Sequence, residues 1–169
     1  MWLFLFVETM LFAGMFSAST IVRAGTTIGW EMPNTFELGS TMRYFNMYLL
    51  LTSGFFAQKA WRRRDNQKEL STQLKWTLAL GIAFVVLQGS EWAALLHEGF
   101  TITSSGRGGF FYLMVGAHAA HAVVAIIALL ASANIFSKEK EIADFVDVAL
   151  ILWGFVVVLW PIIFFTVYR

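Results

Sequence analysis

The sequence has no cysteine. Disulfides, thiolate metal sites and iron–sulfur clusters are excluded together. Charge is scarce too. Charged residues make up 14% of the chain, and the formal net charge is +1. Nothing in that balance suggests nucleic acid as a partner. No Gly-x-Ser-x-Gly elbow, phosphate-binding loop, His-Glu-x-x-His pair or Gly-rich dinucleotide fingerprint occurs. There is no internal repeat and no low-complexity segment. What the chain has in abundance is apolar surface: 58% hydrophobic residues, with 17 Phe and 7 Trp. A soluble protein of this size could not hide that much, so the composition points to a membrane. The length allows one domain.

Apolar runs of membrane-spanning length recur at about residues 1–22, 42–61, 74–96, 110–136 and 145–167. The predicted fold is therefore all-α: a single domain over residues 1–169, built as an integral membrane bundle of five transmembrane helices. The first run has no basic leader and no small-x-small cleavage site, so it is expected to be a retained span. Turn formers Gly25, Gly29, Pro33, Asn34 and Gly39 mark a loop over 24–41. Residues 62–69 read as a charged loop, 97–109 as a turn rich in Gly, Ser and Thr, and 137–144 as a second charged loop. Pro161 falls inside the fifth run, where neighbouring helices can satisfy the freed carbonyl.

Lys and Arg set the orientation. Lys59, Arg62, Arg63, Arg64, Lys68 and Lys75 follow the second run, and Lys138 and Lys140 follow the fourth. The other side has only Arg23, Arg43, Arg107 and Arg169. This predicts a cytoplasmic N-terminus and an outside C-terminus. Trp2, Trp61, Trp76, Trp92 and Tyr168 fall near run ends, as interfacial aromatics do. The plain reading of Arg62–Arg64 is an orientation signal with anionic lipid contact.

Ionisable groups inside the runs are the candidates for function, because each is expensive in lipid. Glu8 lies about two turns into the first run and Glu91 about one and a half turns from the end of the third. His118 and His121, two to three turns into the fourth, share a helix face at i and i+3. Glu8 and the two histidines fall at matched depth from opposite ends, so a carboxylate and an imidazole could share a proton or a hydrogen bond. Gly14, Gly116 and the alanines around His118 are small enough to let helices approach closely. Three readings stand: a structural hydrogen-bonded pair, a proton-handling or lipid-linked site, and a metal or haem site. The last is weakest. Two histidines on one face cannot clasp a haem from both sides; His97 is at the outer surface, and only Glu8 and Glu91 could complete a metal site. No catalytic residue and no metal ligand set is assigned. Gln88 and Ser90 flank Glu91 and could satisfy it or nearby backbone; Asn46 and Thr52 should bond between helices. Glu98 and Arg107 bracket the outer turn and are expected to pair. Gly106, Gly108 and Gly109 read as a turn before a helix, and the 7 Met as core filling.

These residues carry a resemblance. The stretch LQGSEWAALLHEGFTITSSGRGGFFYLMVGAHAAHAVVA resembles subunit III of the haem–copper oxidases. Gln88, Ser90, Glu91 and Trp92 match one part of the family pattern, and Phe110, Phe111, Gly116, His118 and His121 another. The start, MWLFLFVETMLFAGMFSAS, is similar to the family's first shared helix and places Glu8 on its buried glutamate. Asn46 falls on an Asn of the next helix. The resemblance spans the chain and fits the family's five-helix form, without the first two helices of the seven-helix form. It departs in the last helix, where Gly154 and Val157 stand for a His and an Asp. The run Phe145–Val148 comes one to two turns too early to replace them. That departure suggests a divergent branch.

The resemblance implies an accessory subunit, without a redox centre of its own, of a respiratory terminal oxidase that reduces oxygen to water and translocates protons. Haem and copper would belong to partner subunits. The chain would sit beside the catalytic subunit I, bind phospholipid and support proton uptake, in a bacterial cytoplasmic membrane. Other readings are a similar accessory of a nitric oxide reductase, and a free-standing transporter using Glu8 and Glu91. The transporter would be expected to show pseudo-symmetry that the sequence lacks.

Overall fold

A computed structural model describes residues 2–25, 40–63, 66–135 and 143–168. Among these the chain is helical, without strands. In order the helices are α1 (Trp2–Gly25), α2 (Ser40–Arg62), α3 (Gln67–His97), α4 (Gly106–Ile135) and α5 (Ala143–Val167). Most of the expected loop over 24–41, the basic positions Arg64, Lys138, Lys140 and Arg169, and the charged segment up to residue 142 lie outside the described residues. Four helices, α1, α3, α4 and α5, are long and apolar enough to cross a membrane. The exception is α2, diluted by Arg43, Asn46, Gln58 and Lys59.

Local chemistry sets the helix ends. The charged loop expected over 62–69 is much shorter, because α2 runs to Arg62 and α3 starts at Gln67. The Asn66 side chain accepts from the Glu69 N–H at 3.4 Å, and Arg63 pairs with Glu69 at 2.8 Å across the turn. At its far end α3 closes in a Schellman turn: Phe100 N–H donates to the Leu95 carbonyl and Gly99 N–H to Leu96. Gly99 has φ 79°, a left-handed conformation that favours glycine. The glycine cluster after it is part of α4, not a turn before it. Ser105 caps the helix by accepting from the Gly108 N–H at 3.0 Å. A Cβ on Gly108 would come within 2.5 Å of the Thr101 carbonyl oxygen, so the approach requires glycine.

Buried positions recur with helical spacing. In α5 they are Val146, Ala149, Trp153, Val156, Trp160, Ile163 and Val167; in α4, Phe111, Val115, His118, Ala122, Ala125, Leu129 and Ser132. The most extensive pair is α2 with α3, followed by α4 with α5, and α5 also packs on α2. The centre is Trp153, which is fully buried and donates its indole N–H to Ser53 Oγ at 3.2 Å. Its ring lies against Gly81, where a Cβ would meet it at 2.7 Å; likewise a Cβ on Gly54 would meet Val157 at 2.6 Å. Close approach thus happens at Gly54 and Gly81. It does not happen at Gly14, which has nothing within 4 Å, and Gly116 makes only an ordinary contact with Trp92 at 3.8 Å. Gly14 is on α1, which touches α4 and, more lightly, α5, and buries only Phe12 and Ser19. Thr52 bonds back to the Tyr48 carbonyl of its own helix rather than across helices. Large apolar side chains such as Phe6, Val86, Val124, Val158 and Phe165 point outward, as acyl chains permit and water would not.

Candidate functional site

Among the described residues, Glu8 and Glu91 each anchor a separate polar cluster. The larger is built on α3. Gln88 and Glu91 are i and i+3 and face the same way. Asn46 Nδ2 on α2 donates to Gln88 Oε1 at 3.1 Å. Gln88 Nε2 donates to Glu91 Oε2 at 2.8 Å and reaches Tyr168 Oη at 3.3 Å. Tyr168 O–H, just beyond α5, donates to the same carboxylate oxygen at 3.4 Å. Arg43 Nη1 lies 3.8 Å from Glu91 Oε1, with its guanidinium 5.4 Å from the centre of the Tyr168 ring. Arg107 Nη2 donates to the Val167 carbonyl at 3.2 Å and fastens the start of α4 to the end of α5. Burial, reinforced by the Glu91 carboxylate, pushes the Tyr168 phenol above its ordinary range, so it stays a donor. Ser90 is outside this cluster: its hydroxyl donates to the Leu87 carbonyl of its own helix at 2.7 Å.

Arg43 and Tyr168 belong to this cluster, yet sequence reasoning used them only as an orientation charge and an interfacial aromatic. A signal existed for Arg43, which is i−3 from Asn46 and so shares its face. None existed for Tyr168, which is 77 residues from Glu91.

The smaller cluster joins α1 to α4. His121 Nε2 lies 3.1 Å from Glu8 Oε2, and His121 Nδ1 lies 2.7 Å from the Ala117 carbonyl. A carbonyl only accepts, so Nδ1 carries a proton. One further proton is then shared between Nε2 and the carboxylate, as an ion pair or as a neutral acid and imidazole. Phe12 and Phe155 set their ring edges against His121 at 5.7 and 6.1 Å between centres.

His118 does not join its neighbour. It is 1% exposed and stacks on Trp160 at 4.8 Å, with Phe84 edge-on at 6.4 Å. Neither ring nitrogen has a hydrogen-bond partner among the described residues. A cavity of about 140 Å³ beside it is bordered by Gln88, Trp92, Ala119 and Trp160. The i, i+3 spacing leaves the two rings roughly 60° apart around α4, enough to send His118 into the core and His121 to α1. Among the described residues no three His, Asp or Glu side chains converge on a point that could hold a metal ion.

Comparison with known proteins gives one family. The model of the family described as cytochrome c oxidase subunit III matches residues 1–169. The chain is similar to cytochrome c oxidase subunit 3 of Bacillus subtilis, at 34% identity covering 99% of this chain and 83% of that protein. It is similar to a probable cytochrome c oxidase subunit 3 of Nocardia farcinica at 30%, covering 95% and 81%. A probable quinol oxidase subunit 3 of Staphylococcus saprophyticus is 29% identical, with 99% and 85% covered. These bacterial relatives and the four long apolar helices make the chain a multi-pass protein of a bacterial membrane.

Proposed function

The chain belongs to the cytochrome c oxidase subunit III family, and from that premise we propose that it is a non-redox accessory subunit of a respiratory haem–copper terminal oxidase. It sits beside the catalytic subunit I, which holds the haem and copper. It stabilises that subunit, retains phospholipid at its surface and supports proton uptake. The observation that carries the reading is the family match over residues 1–169. The geometry is consistent with it: Glu8 and Glu91 are engaged in hydrogen bonds within this chain, as a scaffold requires.

In this reading α2 is a fifth span. Its 23 residues rise about 34 Å, enough for a hydrocarbon core of about 30 Å. Asn46 and Arg43 are turned inward and spent in the Glu91 cluster, and Ser53 meets Trp153 of α5. The N-terminus is cytoplasmic and the C-terminus outside, following the Lys and Arg distribution. Glu8 pairs with His121 to hold α1 on the bundle and so helps shape the lipid-facing surface.

Purification of the intact complex in mild detergent tests this, with its neighbours identified by mass spectrometry. A haem–copper catalytic subunit is the expected companion, and the redox partner recovered with it assigns the electron donor as cytochrome c or quinol. Replacing Glu8→Ala should loosen the subunit or its lipids while initial turnover stays mostly intact. Immediate loss of turnover in a normally assembled complex would overturn the role. So would recovery of the chain alone with flux activity in liposomes.

A further inference from the structure

The cavity of about 140 Å³ beside His118 lies between α3, α4 and α5. Its wall is almost wholly apolar, with Phe84, Val85 and Val115 among the side chains that form it. Three of the residues that border it nevertheless carry nitrogens without partners among the described residues. These are both ring nitrogens of His118 and the indole N–H groups of Trp92 and Trp160. His118 and Trp160 are 1% and 2% exposed, so water at the protein surface does not serve them. Gln88, the other polar neighbour, is already engaged with Asn46, Glu91 and Tyr168. Buried polar groups are almost always paired, so several unpaired nitrogens around one cavity call for an occupant. The mouth is made of small residues. Gly89 is exposed, a Cβ there would meet nothing within 4 Å, and Ala119 on α4 is half-buried. Both α3 and α4 are long and apolar enough to cross a membrane, so an entrant comes from the bilayer.

We propose that this cavity binds one small neutral molecule of the phenol class, its ring in the apolar space and its hydroxyl on His118 and an indole. The size fits a single ring: an apolar cavity of about 150 Å³ accommodates benzene. The hydroxyl follows from the orphan groups. A neutral imidazole has one N–H donor and one acceptor nitrogen, an indole only donates, and a hydroxyl both donates and accepts. It can therefore donate to the imidazole while accepting from an indole N–H, where a carbonyl could only accept. A charged ligand is excluded by the cost of leaving water for an apolar wall without a counter-ion among its residues. Water is the competing occupant, and the wall argues against it. Filling the cavity takes about four waters at roughly 30 Å³ each, and most of their contacts would be hydrocarbon. The inference does not depend on the accessory-subunit reading.

The test uses the full chain, purified in mild detergent with the subunits that accompany it. Two photoreactive probes that differ only in the hydroxyl, para-azidophenol and phenyl azide, are irradiated with it, and the labelled residues are mapped by mass spectrometry. Labelling of α3 and α4 around the cavity is expressed relative to labelling elsewhere in the chain. On that scale the phenol should label the wild-type cavity at least fivefold more than phenyl azide. His118→Phe keeps the ring and removes both nitrogens, and it should abolish the preference for the phenol. Gly89→Leu places a side chain at the mouth, where the packing leaves room, and should lower labelling by both probes at least fivefold. Equal labelling of the wild-type cavity by the two probes would overturn the proposal, because the cavity would then select for apolar character alone. Labelling that survives Gly89→Leu unchanged would overturn it as well, as would a density map of the phenol-soaked protein showing only water beside His118.

Discussion

The half-buried carboxylates Glu8 and Glu91 solve the same problem in different ways. Glu91 sits where α2, α3 and the end of α5 meet, and it has Gln88, Tyr168 and Arg43 around it. Glu8 sits on a helix that buries only two residues, and it meets the imidazole of His121. The first carboxylate is part of what fixes the bundle. The second is a latch for one peripheral helix. A buried charge is tolerated when hydrogen bonds surround it, and the number of elements those bonds tie together decides whether its loss is global or local.

The contrast makes a ranked set of predictions. Glu91→Leu should cost the most, roughly 3 kcal/mol, because it leaves Arg43, Gln88 and Tyr168 without their shared acceptor. Thermal unfolding in detergent should show it as a lower, broader transition of the whole bundle. Gly81→Ala should cost about 2 kcal/mol by forcing a methyl against the Trp153 ring. Hydrogen exchange should then rise across α3 and α5 while α1 is unchanged. Glu8→Gln should cost about 1 kcal/mol, and exchange should rise in α1 alone. If Glu8→Gln destabilised the whole bundle as strongly as Glu91→Leu, the distinction between scaffold and latch would fail. The smallest effect is expected at His118→Phe. Both His118 nitrogens are unpartnered among the described residues, and a phenyl ring keeps the stack on Trp160. The change should lie within about 0.5 kcal/mol of neutral, or stabilise. His121→Phe should instead reproduce the loosening of α1.

Much of this could be read along the chain. Helical periodicity and apolar run length are local properties, so the helices could be placed without the structure, and the costly residues within them identified. The misplaced details were of two kinds. Helix ends moved where capping extended them, as Asn66 does for α3 and Ser105 for α4. Contact glycines were mistaken because smallness alone does not say which face meets a neighbour. Gly14 faces open space, whereas Gly81 receives a tryptophan from 72 positions further on, by the difference of the two residue numbers. The separation of the histidines was in part readable. His118 falls on the buried stripe between Val115 and Ala122, and His121 falls beside it.

What the sequence determined by itself is that this chain must lie in a membrane as helices and must find partners for the carboxylates of Glu8 and Glu91. Lipid offers neither water nor spare hydrogen bonds. Tertiary structure decided who the partners are: His121 for Glu8, and Gln88, Tyr168 and Arg43 for Glu91. That choice depends on how each helix is rotated and how deep it sits. Rotation and depth are set by side chains such as Trp153 seated against Gly81, and no local pattern contains them.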